Sequence, residues 1–342
     1  MKYTPKERVM AALRREEPDR VPYCELAVDQ KVAAQILGKP VPRTMLDRET
    51  NPRTVEEEKA LSQCIGRDNL TVVVRAPIFA HKEPGIDGRP FYREGMIATE
   101  DDLERMDMPD PHGEEMYRGV EAIVREKGDY PVFAGTRMGI FPTILSLGYE
   151  QFCYLLFDNP SLIEKVMDMY FDWEEVVVER LCEMGVDVIW TTDDLAWKAG
   201  PMFAPEVFRS MVVPRMRKVA EKITVPWVHH SDGNLMSILE DLLGLGISGL
   251  HPIEPGPMDL AQMKREYGHR VCLLGNINLN TLGLGTPAEV EEEVRTRIQE
   301  AGPGGGYIVT SANSIASYCR AENVLAMAQA VHKYGSYPLE EA

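Results

Sequence analysis

The chain has 342 residues, 44% hydrophobic and 27% charged, the composition of an ordinary globular protein with apolar material for a sizeable core. Its 54 Asp and Glu against 37 Lys and Arg give a formal net charge of −17. Such a surface repels phosphate backbones and anionic lipid, which argues against nucleic-acid and membrane partners.

The first predicted element is a helix. Thr4-Pro5-Lys6-Glu7 supplies an N-cap, a proline at the first helical position and the glutamate of a capping box. Val9, Met10, Ala12 and Leu13 follow at helical spacing, and Pro18 ends the pattern. This opening reads as a charged amphipathic helix and not as a signal peptide. Arg20 to Leu26 is a short strand-like run.

One theme then repeats: an apolar strand, polar residues at its end, a helix. Leu70–Val74 ends at Arg75, and Pro131–Ala134 at Thr136 and Arg137. Val186–Trp190 ends at Asp193 and Asp194, and Val225–Val228 at His229, His230 and Asp232. Ile247–Leu250 leads to His251 and Glu254, Val271–Leu274 to Asn276 and Asn278, and Tyr307–Thr310 to Ser311 and Asn313. Helical patterns cover 161–184, 205–223, 234–244 and 287–300, the last opened by a second capping box, Thr286-Pro287-Ala288-Glu289. Residues 81–112, rich in Gly, Pro, Asp and Arg, interrupt the rhythm as an excursion, with Phe91–Met96 as a hairpin strand.

Alternating strands and helices predict a parallel α/β sheet. Polar residues at nearly every strand end favour a single (β/α)8 TIM barrel over 1–342, whose active site is built from those ends. A doubly wound open sheet would gather them at one crevice. The glycine runs Gly283-Leu284-Gly285 and Gly304-Gly305-Gly306 complete no phosphate-loop motif and read as plain turns. Six scattered cysteines with no CxxC pair fit reduced thiols, and no apolar run reaches the ~20 residues that span a bilayer. The expected compartment is the cytoplasm.

The segment Trp227 to Asn234 carries the most specific chemistry. Strand alternation points His229 and His230 in opposite directions and gives His230 and Asp232 a common one. An adjacent histidine pair is often structural. With Glu254 on the next strand end and Asp193 on the previous one, however, three strand ends offer imidazole and carboxylate to one face, for metal binding or acid–base work. The catalytic candidates are therefore His230, Asp232, Glu254 and Asp193, with Asn313 for hydrogen bonding. Arg75 and Arg137 are candidates for an anionic substrate group, with surface salt bridges as the alternative. Trp190, with Trp197 and Met202, could wall an aromatic pocket, and Asn276 ends a strand on the same face.

Several segments together resemble the uroporphyrinogen decarboxylase superfamily: Thr4–Val9 with Pro18-Asp19-Arg20-Val21-Pro22, Ala204–Phe208 with Pro214, His230-Ser231-Asp232-Gly233, Leu274-Gly275-Asn276-Ile277, and Glu322-Asn323-Val324. The resemblance spans essentially the whole chain and implies a TIM barrel. True decarboxylases of that superfamily carry an arginine-rich segment that grips substrate carboxylates. The corresponding Tyr23–Gln30 has no arginine and two acids. The other branch, corrinoid-dependent methyltransferases, holds zinc with His-x-Cys and a later Cys. Here those places read His230-Ser231-Asp232 and Asn313, and Cys319 is not the aligned ligand. The resemblance thus implies a methyltransferase acting on a small methylated donor, such as an aryl methyl ether of the methoxybenzoate type. Its partner would be a corrinoid-binding protein. Zinc would be held by the nitrogen and oxygen ligands His230, Asp232 and Glu254. A tetrapyrrole decarboxylase and a non-catalytic corrinoid-protein-binding paralogue are the alternatives.

Overall fold

The computed structural model describes residues 3–40, 53–85 and 90–339. Seven parallel strands form the central sheet: β1 (Leu70–Val73), β2 (Val132–Thr136), β3 (Val188–Thr192), β4 (Trp227–His230), β5 (Gly249–His251), β6 (Cys272–Ile277) and β7 (Tyr307–Ser311). Their order in space is their order in sequence. Every residue of β2, β4, β6 and β7 is buried, as a parallel sheet covered on both faces requires. Phe133, Trp190, Val228, Leu274 and Ile308, from five different strands, meet in one inner cluster. The sheet is therefore curled around them, and a larger apolar layer lies outside, between strands and helices.

The sequence pattern predicts an eight-stranded barrel, and among the described residues the central sheet has seven strands. The eighth place, between β7 and β1, is taken by the extended segment 22–25. Cys24 N–H donates to the Val309 carbonyl at 3.0 Å, and Asp68 N–H to the Tyr23 carbonyl at 2.7 Å. The segment makes an isolated parallel bridge, Tyr23 to Val309, instead of a ladder. The physical reason is local. Pro22 has no N–H to donate. On the β1 side the Asn69 side chain replaces a backbone partner, accepting from Glu25 N–H and donating to its carbonyl, both at 3.1 Å.

The first helix, Pro5–Leu13, begins with the predicted capping box: Glu7 N–H donates to Thr4 Oγ1 at 3.2 Å and Thr4 N–H to Glu7 Oε2 at 2.8 Å. Val9, Ala12 and Leu13 join the inner cluster, so this helix plugs the end of the sheet opposite the strand C-termini. Buried Arg8 fastens it, with Nε 2.7 Å from Asp19 Oδ1 and Nη1 2.7 Å from Asp68 Oδ1. Asp68 also accepts from Arg20 and from Tyr23 N–H. The Thr4–Val9 and Pro18–Pro22 motifs are thus one anchoring device at the closed end.

Of the predicted helices, 161–184 is observed as Pro160–Glu183 and 287–300 as Pro287–Ala301. The 205–223 pattern contains a π turn at Phe208–Val212 before Val213–Lys222, because Pro214 has no N–H for an ordinary α-helical bond. The 234–244 pattern yields helix only at Leu239–Leu243. The 81–112 excursion is an antiparallel hairpin, Ala80–Pro84 with Pro90–Gly95, followed by a short helix, Glu100–Glu104. Its tip, 86–89, lies outside the described residues. Phe79 N–H donates to Ser146 Oγ and Ile97 N–H to the Ser146 carbonyl, which pins the hairpin to the Ile140–Leu147 helix. Among the described residues no single helix is long and apolar enough to cross a membrane.

Candidate active site

A cavity of about 850 Å³ opens at the C-terminal ends of the strands. His230, Thr192, Asp194, Asn313, Arg75, Arg137 and Phe141 line it, and Phe91 and Tyr92 of the hairpin border it.

Strand parity sorts the histidine pair as the sequence predicts. His229 points into the outer layer, wholly buried, with Nδ1 2.9 Å from Thr191 Oγ1. Burial pushes it down to about 3, so it is neutral. His230 points inward, level with Thr192 on one side and His251 on the other. Its Nδ1 lies 2.7 Å from His251 Nδ1. Its Nε2 lies 3.6 Å from Asp194 Oδ1 and 3.9 Å from Asp232 Oδ1.

The turn after β4 places the remaining acids. Ser231 N–H donates to the His251 carbonyl, Asp232 N–H to Asp194 Oδ1 at 3.1 Å, and Gly233 N–H to Glu254 Oε2 at 2.7 Å. Gly233 has φ +88°, and a Cβ there would run into the Ala196 carbonyl, which accounts for the glycine of His-Ser-Asp-Gly. Asn313 Nδ2 donates to Asp232 Oδ2 at 2.7 Å. Burial, reinforced by Asp194 and Glu254, pushes Asp232 up to about 6 against the pull of His230 and Asn313.

Asp194, His230 and Asp232 can each offer one ligand atom, all within 4.8 Å of one another. Asp232 Oδ1 is buried and has no hydrogen-bond partner among the described residues. An orphaned carboxylate oxygen beside an imidazole and a second carboxylate suits a divalent cation of the zinc type, bound through nitrogen and oxygen.

The other expected residues fall elsewhere. Asp193, expected in the catalytic set, is fully buried and turned away, and its Oδ2 accepts from Gly139 N–H at 2.8 Å and Ile140 N–H at 3.0 Å at the start of the Ile140–Leu147 helix. Burial pushes it up to about 7. Its neighbour Asp194 holds the place by the histidine. Glu254 is not among the cavity-lining residues; it fixes the 231–233 turn through Gly233. Trp190 is buried beneath the site and not in the cavity wall, its ring edge-on to His251 with centroids 4.9 Å apart. Asn276 is buried, and its Nδ2 donates to the Ile253 carbonyl at 2.8 Å. Its neighbour Gly275 has φ +144°, and a Cβ there would strike the Pro252 carbonyl, so Gly-Asn is the residue pair that lets β6 pass this close to the 251–254 loop. Arg75, Arg137 and Asn313 line the cavity, and Arg137 Nη1 also donates to the Ala76 carbonyl at 3.2 Å. Behind this wall Glu174 accepts from Thr136 Oγ1 at 2.8 Å, with burial raising its carboxyl well above the usual range.

Asp194 could have been found by parity. Trp190, Thr192 and Asp194 alternate onto one side of the chain, and Trp190 is inward. The partnership of His230 with His251 carried no sequence signal, because it depends on the register of two strands. The approach of Phe91 and Tyr92 depends on where the hairpin folds.

The full-length comparisons fit this architecture. The methylcobamide:CoM methyltransferase MtaA of Methanosarcina barkeri is 25% identical across 97% of this chain and 98% of its own length. A uroporphyrinogen decarboxylase of Shewanella halifaxensis is 23% identical across 94% of this chain and 88% of that protein. Among solved structures, a methyltransferase from Methanosarcina mazei superposes with a TM-score of 0.77 at 22% identity, covering 97% of this chain and 99% of that one. A B12-independent methionine synthase from Shewanella sp. W3-18-1 superposes with a TM-score of 0.51 at 12% identity, covering 82% of this chain and 86% of that one. With the uroporphyrinogen decarboxylase (URO-D) profile matching residues 83–334, the chain belongs to the uroporphyrinogen decarboxylase family.

Proposed function

We propose that the protein is the methyltransferase component of a corrinoid-dependent demethylation system. It would take a methyl group from a small donor, an aryl methyl ether of the methoxybenzoate type, to a reduced corrinoid carried by a partner protein. The observation that carries this reading is His230 facing the cavity, with Asp194 and Asp232 around its Nε2, while Arg75 and Arg137 line the same cavity. The likeness to MtaA over almost the full length of both chains supports it.

The chemistry assigns tasks to these residues. The methyl carbon leaves oxygen for the corrinoid; the C–O bond breaks and its electron pair stays on oxygen. That oxygen needs positive charge or a proton beside it. His230, held between two carboxylates, is placed to keep a proton or a divalent cation at that point. A bound metal, held by His230, Asp232 and Asp194 with Glu254 as a further candidate ligand, would supply Lewis-acid polarisation of the leaving oxygen. Arg75 and Arg137 pair with the carboxylate of the donor in an otherwise strongly acidic protein. The cavity of about 850 Å³ is within the ~300–1,000 Å³ range of small-molecule sites. Leu26, Val72, Ile123 and Ile315 give it apolar wall for a ring.

The test is to incubate the protein with a reduced corrinoid carrier and methoxylated aromatics and to follow the corrinoid spectrum for methylation. The wild type gives the methylated corrinoid, and His230→Ala abolishes the signal while remaining folded. No methylation with any donor, together with release of carbon dioxide from uroporphyrinogen, replaces this reading by decarboxylation.

A further inference from the structure

His230 and His251 stand level on neighbouring strands with their Nδ1 atoms 2.7 Å apart. At that distance one nitrogen donates and the other accepts. The far side of His251 decides which. Its Nε2 faces the Ser311 carbonyl at 3.3 Å, and a carbonyl oxygen only accepts. That carbonyl is firmly placed. Ser311 N–H and Oγ donate to buried Glu25 at 3.0 and 2.6 Å, and Thr310 Oγ1 donates to the same carbonyl at 2.7 Å.

His251 is wholly buried, and its two ring nitrogens face the His230 ring and the Ser311 carbonyl with no carboxylate to hold a second proton, so one ring proton serves these contacts. With that proton on Nε2 the Ser311 carbonyl is served and His251 Nδ1 is the acceptor. His230 Nδ1 must then donate, which leaves its Nε2 lone pair aimed toward Asp194 and Asp232. The reverse assignment sets a bare nitrogen against a carbonyl oxygen in the interior, at the cost of a buried unsatisfied group. The edge-on Trp190 ring, 4.9 Å from His251, keeps the ring from turning away.

We propose that His251 is a positioning residue: by accepting the Nδ1 proton of His230 it fixes that imidazole in one tautomer, with the Nε2 lone pair directed between Asp194 and Asp232 to receive a divalent cation. A ligating histidine commonly has its tautomer set by the hydrogen bond its other nitrogen makes. Here the partner is a second, neutral histidine in place of a carboxylate, so the site gains no further negative charge from it.

The test uses the full chain, uniformly 15N-labelled and stripped of metal with a chelator. A long-range proton–nitrogen correlation at about pH 9, where imidazoles are neutral, reads the tautomer of each ring. The His230 signals are identified by their loss in His230→Gln. The wild type shows His230 protonated at Nδ1. His251→Gln keeps this pattern, because a side-chain carbonyl can accept the proton while the amide serves Ser311. His251→Leu moves the His230 proton to Nε2 and weakens Zn2+ binding, measured calorimetrically with the metal alone, by about 10–100-fold. A wild-type His230 protonated at Nε2, or a His251→Leu protein that keeps the Nδ1–H form, overturns the proposal. If His251→Leu does not fold, the wild-type and His251→Gln spectra decide. The spectra involve no methyl donor, so their outcome is independent of the methyl-transfer assay.

Discussion

Replacing Asp193 by asparagine tests whether this residue serves the helix and not the chemistry. The carboxylate is fully buried, and two backbone N–H groups at the start of the Ile140–Leu147 helix donate to it. Burial outweighs those bonds and the nearby Arg137, raising the group from 3.8 to about 7. Below pH 3.8 the acid is protonated in both folded and unfolded chains and costs nothing. Between that value and about 7 the unfolded chain releases the proton while the folded one keeps it, so stability falls as pH rises. At ~1.4 kcal/mol per unit, the accumulated loss above the folded value is roughly 4 kcal/mol. An asparagine side chain at this position cannot ionise, and its oxygen can still accept from the helix. In equilibrium urea denaturation at pH 4 and pH 8, Asp193→Asn should therefore gain on the wild type by about that amount between the two. Glu25, also raised by burial, contributes equally to both proteins and cancels in the difference, while Glu174, raised in part by the Asp193 charge, is relieved in the variant and adds to the gain in the same direction. Parallel pH profiles would show that Asp193 is ionised in the fold and refute the burial reasoning.

Asn313→Ala removes the amide that holds Asp232 Oδ2 and should weaken Zn2+ binding about 10–100-fold with little change in melting temperature, as calorimetry with the metal alone would read. Arg137→Ala should raise KM about 10–100-fold for a carboxylated donor, the value of one hydrogen bond to a charged group, and leave a neutral methoxyarene unaffected; equal effects on both would remove the anion role. Gly275→Ala should cost at least ~1–3 kcal/mol in denaturant titrations, since its positive φ and the Pro252 carbonyl both exclude a side chain.

The repeating rhythm of strand, polar end and helix was legible in the chain because parallel strands buried on both faces must be short apolar runs, and their ends must face water. Capping at Thr4 and Thr286 needed only local hydrogen bonding, and both boxes form as written. The opposition of His229 and His230 followed from strand alternation alone. What required the tertiary structure is whatever depends on distance between segments far apart in sequence. The closing segment at 22–25 reads as a strand, yet Pro22 and the Asn69 side chain deny it a ladder. Asp193 and Asp194 are chemically alike; parity sorts them to opposite sides, and only the tertiary structure supplies the helix start that Asp193 caps. Sequence supplied an imidazole and carboxylates at successive strand ends; the register of β4 against β5, which sets His230 beside His251, is a property of the curled sheet, because pairing energy is spread along the strands and leaves no mark on either residue.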